Sequence, residues 1–304
     1  MKNFVLLLLA LITVGCGGQK SKKEETIKPQ TVHFKRVMPP VQSTPEAQFQ
    51  YMVDHYWDRF DFTDTLFIER VDSAEMMRAY AEYIATYVGP YNGEPVAKLM
   101  KRASVSRKML DYFAAMSEKL FHDPNSPLRS DELYIPVLEA QIAAPFYDEY
   151  EKMVPQYDLA LASQNRILKK ANDFRYTVAS GRTSNLYSLK ADFVLIYINN
   201  PGCPMCRQIQ EQLVASQIVA DALKDGRLKI LAIYPDEDLT LWHEHPLPKA
   251  WINGYDRGRR LEKDRLYDLR AIPAMYLVDR EKTVLVKDST TVPEIERMIV
   301  EYQQ

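Results

Sequence analysis

The chain has 304 residues, 46% hydrophobic and 26% charged, with 39 basic against 41 acidic side chains for a net charge of −2 at neutral pH. This is ordinary globular composition with length for two domains, which excludes a disordered or collagen-like chain. It also lacks the basic field that a nucleic-acid partner needs, and its three cysteines are too few for a disulfide-built scaffold.

At the start, Lys2 precedes an apolar run over residues 4–12, followed by Thr13-Val14-Gly15-Cys16. A charged opening, an apolar run of this length and small residues before a cleavage point describe an export signal over residues 1–15. The run is too short to span a bilayer. With Cys16 in place the segment resembles a lipoprotein signal. That implies cleavage before Cys16, lipidation of its thiol and amine, and a mature chain tethered to the bilayer in the cell envelope. Basic residues soon after Cys16 favour the periplasmic face, with inner and outer membrane both open. Residues 16–44 read as a flexible tether, because Lys20, Lys22, Lys23, Glu24, Glu25 and the prolines at 29, 39 and 40 leave little apolar area to offset chain ordering. The lysines either face anionic lipid or form a solvated spacer.

From 45 to 165 the apolar period is helical. Phe49, Met52, Val53, Tyr56, Trp57 and Phe60 follow i, i+3, i+4, i+7, i+8, i+11, and Met77, Tyr80, Ala81, Ile84, Tyr87 and Val88 nearly repeat it. Met109, Phe113, Met116 and Leu120 mark a third helix, and further helices are expected over 131–143 and 145–164, with breaks at Gly89-Pro90 and Asp123-Pro124. The expectation is an all-α domain whose aromatic stripe is core. Asp54, Asp58, Asp61 and Asp64 lack the spacing of a calcium loop and are expected to be solvated or capping. Around Asp54-His55-Tyr56-Trp57-Asp58-Arg59-Phe60 the segment resembles the uncharacterised helical domain that precedes thioredoxin-like domains in Bacteroidetes lipoproteins.

The region 166–304 alternates strands and helices. Residues 174–178 and 185–189 suggest a hairpin, and Phe193, Val194, Leu195, Ile196, Tyr197 and Ile198 form a run that reads as a strand buried on both faces. Residues 228–234 and 275–278 read as two more strands. The last continues through Asp279-Arg280-Glu281-Lys282 into a hairpin, and Pro293 opens a terminal helix. Between the central strand and the next helix stands Asn199-Asn200-Pro201-Gly202-Cys203-Pro204-Met205-Cys206. A helix start offers unpaired amides and the positive end of a dipole, so a sulfur there is stabilised as thiolate. Cys203 is thus the candidate nucleophile, and Cys206, one turn on, the resolving thiol. Pro204 suits the first helical turn. After lipidation of Cys16 these two are the remaining cysteines, which fits a redox pair better than a structural bridge.

Strand, Cys203-Pro204-Met205-Cys206, helix, strand, then Ala271-Ile272-Pro273-Ala274 before a hairpin resembles the thioredoxin superfamily, and within it the TlpA/ResA-like thiol-disulfide oxidoreductases. The resemblance implies an α/β thioredoxin-like domain with a central mixed sheet flanked by helices. It implies catalysis by Cys203 and Cys206 without a cofactor, and a cis Pro273 that, with Ile272, Pro204 and Met205, forms the substrate-binding edge. Implied partners are exported protein thiols or disulfides and a membrane or periplasmic electron donor or acceptor. The sequence departs from that family at Tyr197, where thioredoxins keep a buried acid, at Ile209, where ResA-like proteins have a glutamate, and at Gly202, which replaces a tryptophan. The proton acceptor for Cys206 and the redox direction are therefore open. An alternative reading takes His243 and His245 with the two thiols as a Cu(I) or Zn(II) site, or the protein as a non-catalytic adaptor.

Overall fold

The structure, a computed structural model, describes residues 31–245 and 247–302. The expected export signal and Cys16 lie outside the described residues. The amino-terminal part is built from α1 (Pro45–His55), α2 (Phe67–Arg70), α3 (Ser73–Tyr83), α4 (Glu94–Ala103), α5 (Arg107–Ser117), α6 (Asp131–Ala143) and α7 (Met153–Ala162). Side-chain oxygens start several of them: Thr44 accepts the Ala47 amide, Asp72 those of Ala74 and Glu75, Ser106 that of Met109 and Ser130 that of Leu133. The aromatic stripe is core except at its first member, Phe49, which is 48% exposed. Tyr56, Trp57, Phe60, Tyr80 and Phe113 are all buried, and Trp57 meets Tyr80, Tyr83 and Phe113 edge-on at 5.5 to 5.9 Å.

Several expected boundaries shift. α1 stops at His55, and the tighter bonds Asp58 N–His55 O and Phe60 N–Trp57 O carry the chain on while keeping Trp57 and Phe60 inward. The helix expected from 145 begins at Met153, because Asp148 and Glu151 bond each other's amides and close a turn first. α4 was not anticipated, although its buried Val96, Leu99, Met100 and Ala103 follow i, i+3, i+4, i+7. Of the tether expected over 16–44, residues 16–30 lie outside the described residues. In the rest, Val37 is buried, Val32 and Phe34 pack against the helical core, and Phe34 lies 5.1 Å from Trp57, so this part is not a free spacer throughout. Asp58 pairs with Arg102, while Asp61 and Asp64 accept turn amides.

The second part contains β1 (Arg175–Val178), β2 (Thr183–Asn185), β3 (Phe193–Ile198), α8 (Pro204–Ala215), α9 (Gln217–Lys224), β4 (Leu228–Tyr234), α10 (Leu239–Glu244), β5 (Ile252–Tyr255), α11 (Arg260–Lys263), β6 (Ala274–Asp279), β7 (Val284–Ser289) and α12 (Val292–Glu301). One seven-stranded sheet has the order β2-β1-β5-β4-β3-β6-β7. β3 is central, parallel to β4 and antiparallel to β6, and every one of its residues is buried. Its Leu195 and Tyr197 face a core shared with α8, α9 and α12, while Val194, Ile196 and Ile198 face Phe174, Leu186, Leu261 and Tyr267. β5 was not anticipated, because Asn253-Gly254 reads as a turn. In the sheet, a Cβ on Gly254 would lie 3.0 Å from Tyr176, so the glycine allows β1 and β5 to pair closely.

Candidate active site

The loop leaving β3 is tied down before the first thiol. Asn199 donates its amide to Ile233 O at 3.0 Å. The Asn200 side chain accepts from Gly202 N–H at 2.9 Å and donates to Asp236 at 2.9 Å, and Asn200 O accepts from Cys203 N–H at 3.0 Å. Cys203 is thereby set as the N-cap of α8. Its Sγ accepts the Cys206 amide at 3.2 Å, the anion-favouring end of the helix. Half-buried, the same Sγ lies 3.6 Å from the Ile272 carbonyl oxygen, which can take the thiol proton in a hydrogen bond. The Ile272–Pro273 bond is cis. Cys203, Ile272 and Pro273 thus come together from opposite ends of the domain, with Met205 half exposed at the rim.

Cys206 is in a different environment. It is 3% exposed, its Sγ accepts the Asn200 amide at 3.4 Å, and burial pushes its thiol up to about 12. Both cysteines are free thiols. Tyr197, at the position where thioredoxins keep a buried acid, donates its hydroxyl to Cys206 O at 2.5 Å. Burial raises its own ionisation further, so it is a brace and not a proton acceptor.

Behind the pair lies a cavity of about 280 Å³, with Asn200, Cys206, Arg207, Trp242 and His245 among its walls. Buried Trp242 donates to Asn253 at 2.7 Å, and the His243 ring lies tilted against its ring at 4.8 Å. His245 is exposed and bonds Leu241 O at 3.0 Å. Among the described residues no group of three or more His, Cys, Asp or Glu side chains is gathered to hold a metal, and His243 and His245 are both exposed. No helix among the described residues is long and apolar enough to cross a membrane.

Residues 15–165 match the family described as a domain of unknown function, DUF5106. The crystal structure of a thioredoxin-like protein from Bacteroides caccae ATCC 43185 is 41% identical, covers 91% of this chain and 100% of its own, and superposes with a TM-score of 0.82. The C-terminal domain of an uncharacterized protein from Bacteroides fragilis NCTC 9343 is 43% identical over 45% of this chain and 98% of its own, with a TM-score of 0.44. The thioredoxin domain of a thiol-disulfide oxidoreductase from Bacteroides vulgatus is 20% identical over 46% of this chain and 99% of its own, with a TM-score of 0.39. No curated protein matches the chain. The mixed sheet with its thiol pair at the head of α8 is a thioredoxin-like fold. The chain belongs to the thioredoxin-like proteins that carry an amino-terminal DUF5106 domain.

Proposed function

We propose that the protein is a membrane-anchored thiol-disulfide oxidoreductase acting on exported protein thiols or disulfides. The observation that carries this reading is the contrast within one helical turn: a partly exposed Cys203 at an N-cap beside the Ile272 carbonyl, and a buried Cys206 directly behind it. In the reducing direction, the Cys203 thiolate attacks one sulfur of a substrate disulfide. A Cys203–substrate disulfide forms as the substrate S–S bond breaks, and the departing thiolate is protonated by solvent. Cys206 then attacks Cys203 Sγ, closing the intramolecular disulfide and releasing the second substrate sulfur, which ends with the proton that Cys206 gives up. Two electrons have passed from the pair to the substrate, and the oxidising direction is the reverse. With its thiol pushed up to about 12, Cys206 stays protonated until this step, so it does not compete with Cys203 for the substrate.

Anchoring rests on the lipoprotein-like segment ending at Cys16, which would hold the domain at the cell envelope facing the periplasm, where a membrane or periplasmic partner exchanges electrons with the pair. The deciding measurement is the reduction potential of the Cys203/Cys206 couple, taken by equilibrating the protein with glutathione or dithiothreitol buffers and counting alkylated thiols by mass. A value near −270 mV, as in thioredoxin, would make it a reductant, and one near −120 mV an oxidant. Absence of an intramolecular disulfide at every poise would overturn the reading.

A further inference from the structure

The turn that leads into Ile272 is fastened in part from outside its own domain. Asp268 accepts from three donors of Arg270, the backbone amide at 2.9 Å, Nε at 3.0 and 3.1 Å to its two oxygens, and Nη2 at 2.6 Å, and these bonds fix the shape of the turn. Its start is seated in its own domain by Tyr267, which is buried against Phe174 and Tyr276 and donates to Asn172 O at 2.9 Å. Asp268 itself is also gripped from the helical domain, where Arg129, next to the Ser130 N-cap of α6, donates Nη2 to Asp268 at 3.3 Å and also to Asp288 on β7. His122 lies against Arg270 Nη1, 3.1 Å from its Nδ1. Burial and the Arg270 charge hold His122 below its ordinary value, so the neutral ring can accept from the guanidinium.

The anchor is built into the sheet. Pairing between β6 and β7 slips by one residue between Met275/Ser289 and Leu277/Val286, and Asp288 takes a left-handed φ of 52° there. The bulge turns both Lys287 and Asp288 towards the helical domain. Lys287 meets Asp131 at 2.8 Å and the carbonyls of Ala162 and Gln164 at 2.6 and 2.7 Å. The side chains of Arg129, Asp268 and Asp288 are 13%, 4% and 8% exposed, so the junction is a buried ionic contact and not a surface brush.

We infer that the helical domain helps position the catalytic edge: Arg129, with His122, holds the Asp268–Arg270 turn where Ile272 reaches Cys203. The functional consequence rests on the redox reading above; the structural coupling does not. Misplacing a substrate-docking edge by about 1 Å is enough to cost on the order of 100-fold in rate. Arg129 and His122 touch no reacting atom and act as positioning residues.

The test uses the whole protein with Arg129→Gln, Arg129→Lys and, as a junction control that leaves the turn untouched, Arg166→Gln, whose side chain pairs with Glu132. Single-turnover rate constants of the reduced protein are measured against a disulfide-containing peptide and against the small aromatic disulfide dithionitrobenzoate, together with amide hydrogen exchange over residues 266–276. Arg129→Gln is expected to slow the peptide reaction about 10-fold or more while changing the small-disulfide reaction less than twofold, and to speed exchange in the turn. Arg129→Lys should recover part of the loss, and Arg166→Gln should match the wild type. A folded Arg129→Gln protein with unchanged peptide rate and unchanged exchange would overturn the inference, as would equal slowing with both disulfides. If the wild type transfers to neither disulfide, the redox reading fails by itself and exchange alone decides: faster in Arg129→Gln sustains the coupling, unchanged ends it. Should Arg129→Gln not fold, the same split is read on His122→Ala, with an expected peptide effect of about threefold and no effect counting against the coupling.

Discussion

The Tyr197 hydroxyl donates to the Cys206 carbonyl at 2.5 Å, joining the central strand to the first turn of α8. The bond is buried, and the ring also meets Trp251 edge-on at 6.1 Å, so one side chain ties strand, helix start and the segment before β5 together. Where thioredoxins keep a buried acid, this chain has a hydroxyl donor engaged with the Cys206 carbonyl. Tyr197→Phe keeps the ring and loses the bond. We expect a loss of about 1 kcal/mol, read as a fall of about 2–4 °C in Tm, with the preferential reactivity of Cys203 retained. Loss of that preference on removing the hydroxyl would mean that Tyr197 does more than brace.

The two thiols should separate in alkylation. Cys203 is partly exposed, whereas Cys206 is 3% exposed with its thiol pushed up to about 12 by burial. Iodoacetamide at pH 7–8 should label Cys203 and leave Cys206 unmodified in the native reduced protein, and label both in denaturant, as counted on peptides by mass. The sign for stability follows from linkage. The folded state keeps the Cys206 proton above the ordinary thiol range, so this group's contribution is full below about 8.5 and is lost as pH rises towards 12. Equal labelling of both thiols in the native protein would contradict the buried placement of Cys206.

What could be read from the sequence is local. The run from Phe193 to Ile198 announces a strand buried on both faces, and the structure pairs it on both sides. Cys203 and Cys206 are legible because strand, turn and helix lie within a few residues of each other. β5 is hidden, since the Asn253-Gly254 pair that makes close packing on Tyr176 possible is also a turn signal. The junction between the domains is hidden for a different reason. Arg129, Asp131, Asp268, Arg270, Lys287 and Asp288 are far apart in sequence and each looks like an ordinary surface charge. Only the β7 bulge, which aims two consecutive side chains the same way, brings them into one buried cluster.

That cluster gives stability a pH dependence of its own. Burial pushes Asp288 up to about 8, against the pull of Arg129 and with Asp268 and Asp131 nearby. Asp268, though buried, is held below its ordinary value by its bonds from Arg270. For Asp288 the folded state keeps a proton that the unfolded chain releases near 4, so stability contributed by this group is full below about 4 and declines as pH rises to about 8. Asp288→Asn removes the titration while keeping an acceptor for Arg129. Urea unfolding at pH 5, 6, 7 and 8 should show the wild type losing stability relative to Asp288→Asn across that window. Parallel curves would place the proton elsewhere.

The division of labour between the thiols predicts what a resolving-thiol variant does in cells. Cys206→Ser leaves Cys203 at the N-cap of α8 beside Ile272 but removes the sulfur that would displace a bound partner. Mixed disulfides should therefore accumulate as slow-migrating species on non-reducing gels, collapse with dithiothreitol, and be absent from Cys203→Ser. The reverse assignment, with Cys206 attacking first, would place adducts in Cys203→Ser instead. It would require partners to reach a sulfur that is 3% exposed and sits behind the first turn of the helix. Adducts in neither variant, with both proteins folded and exported, would remove the thiol-exchange reading and leave the helical domain as the part of the chain whose binding partner should be sought.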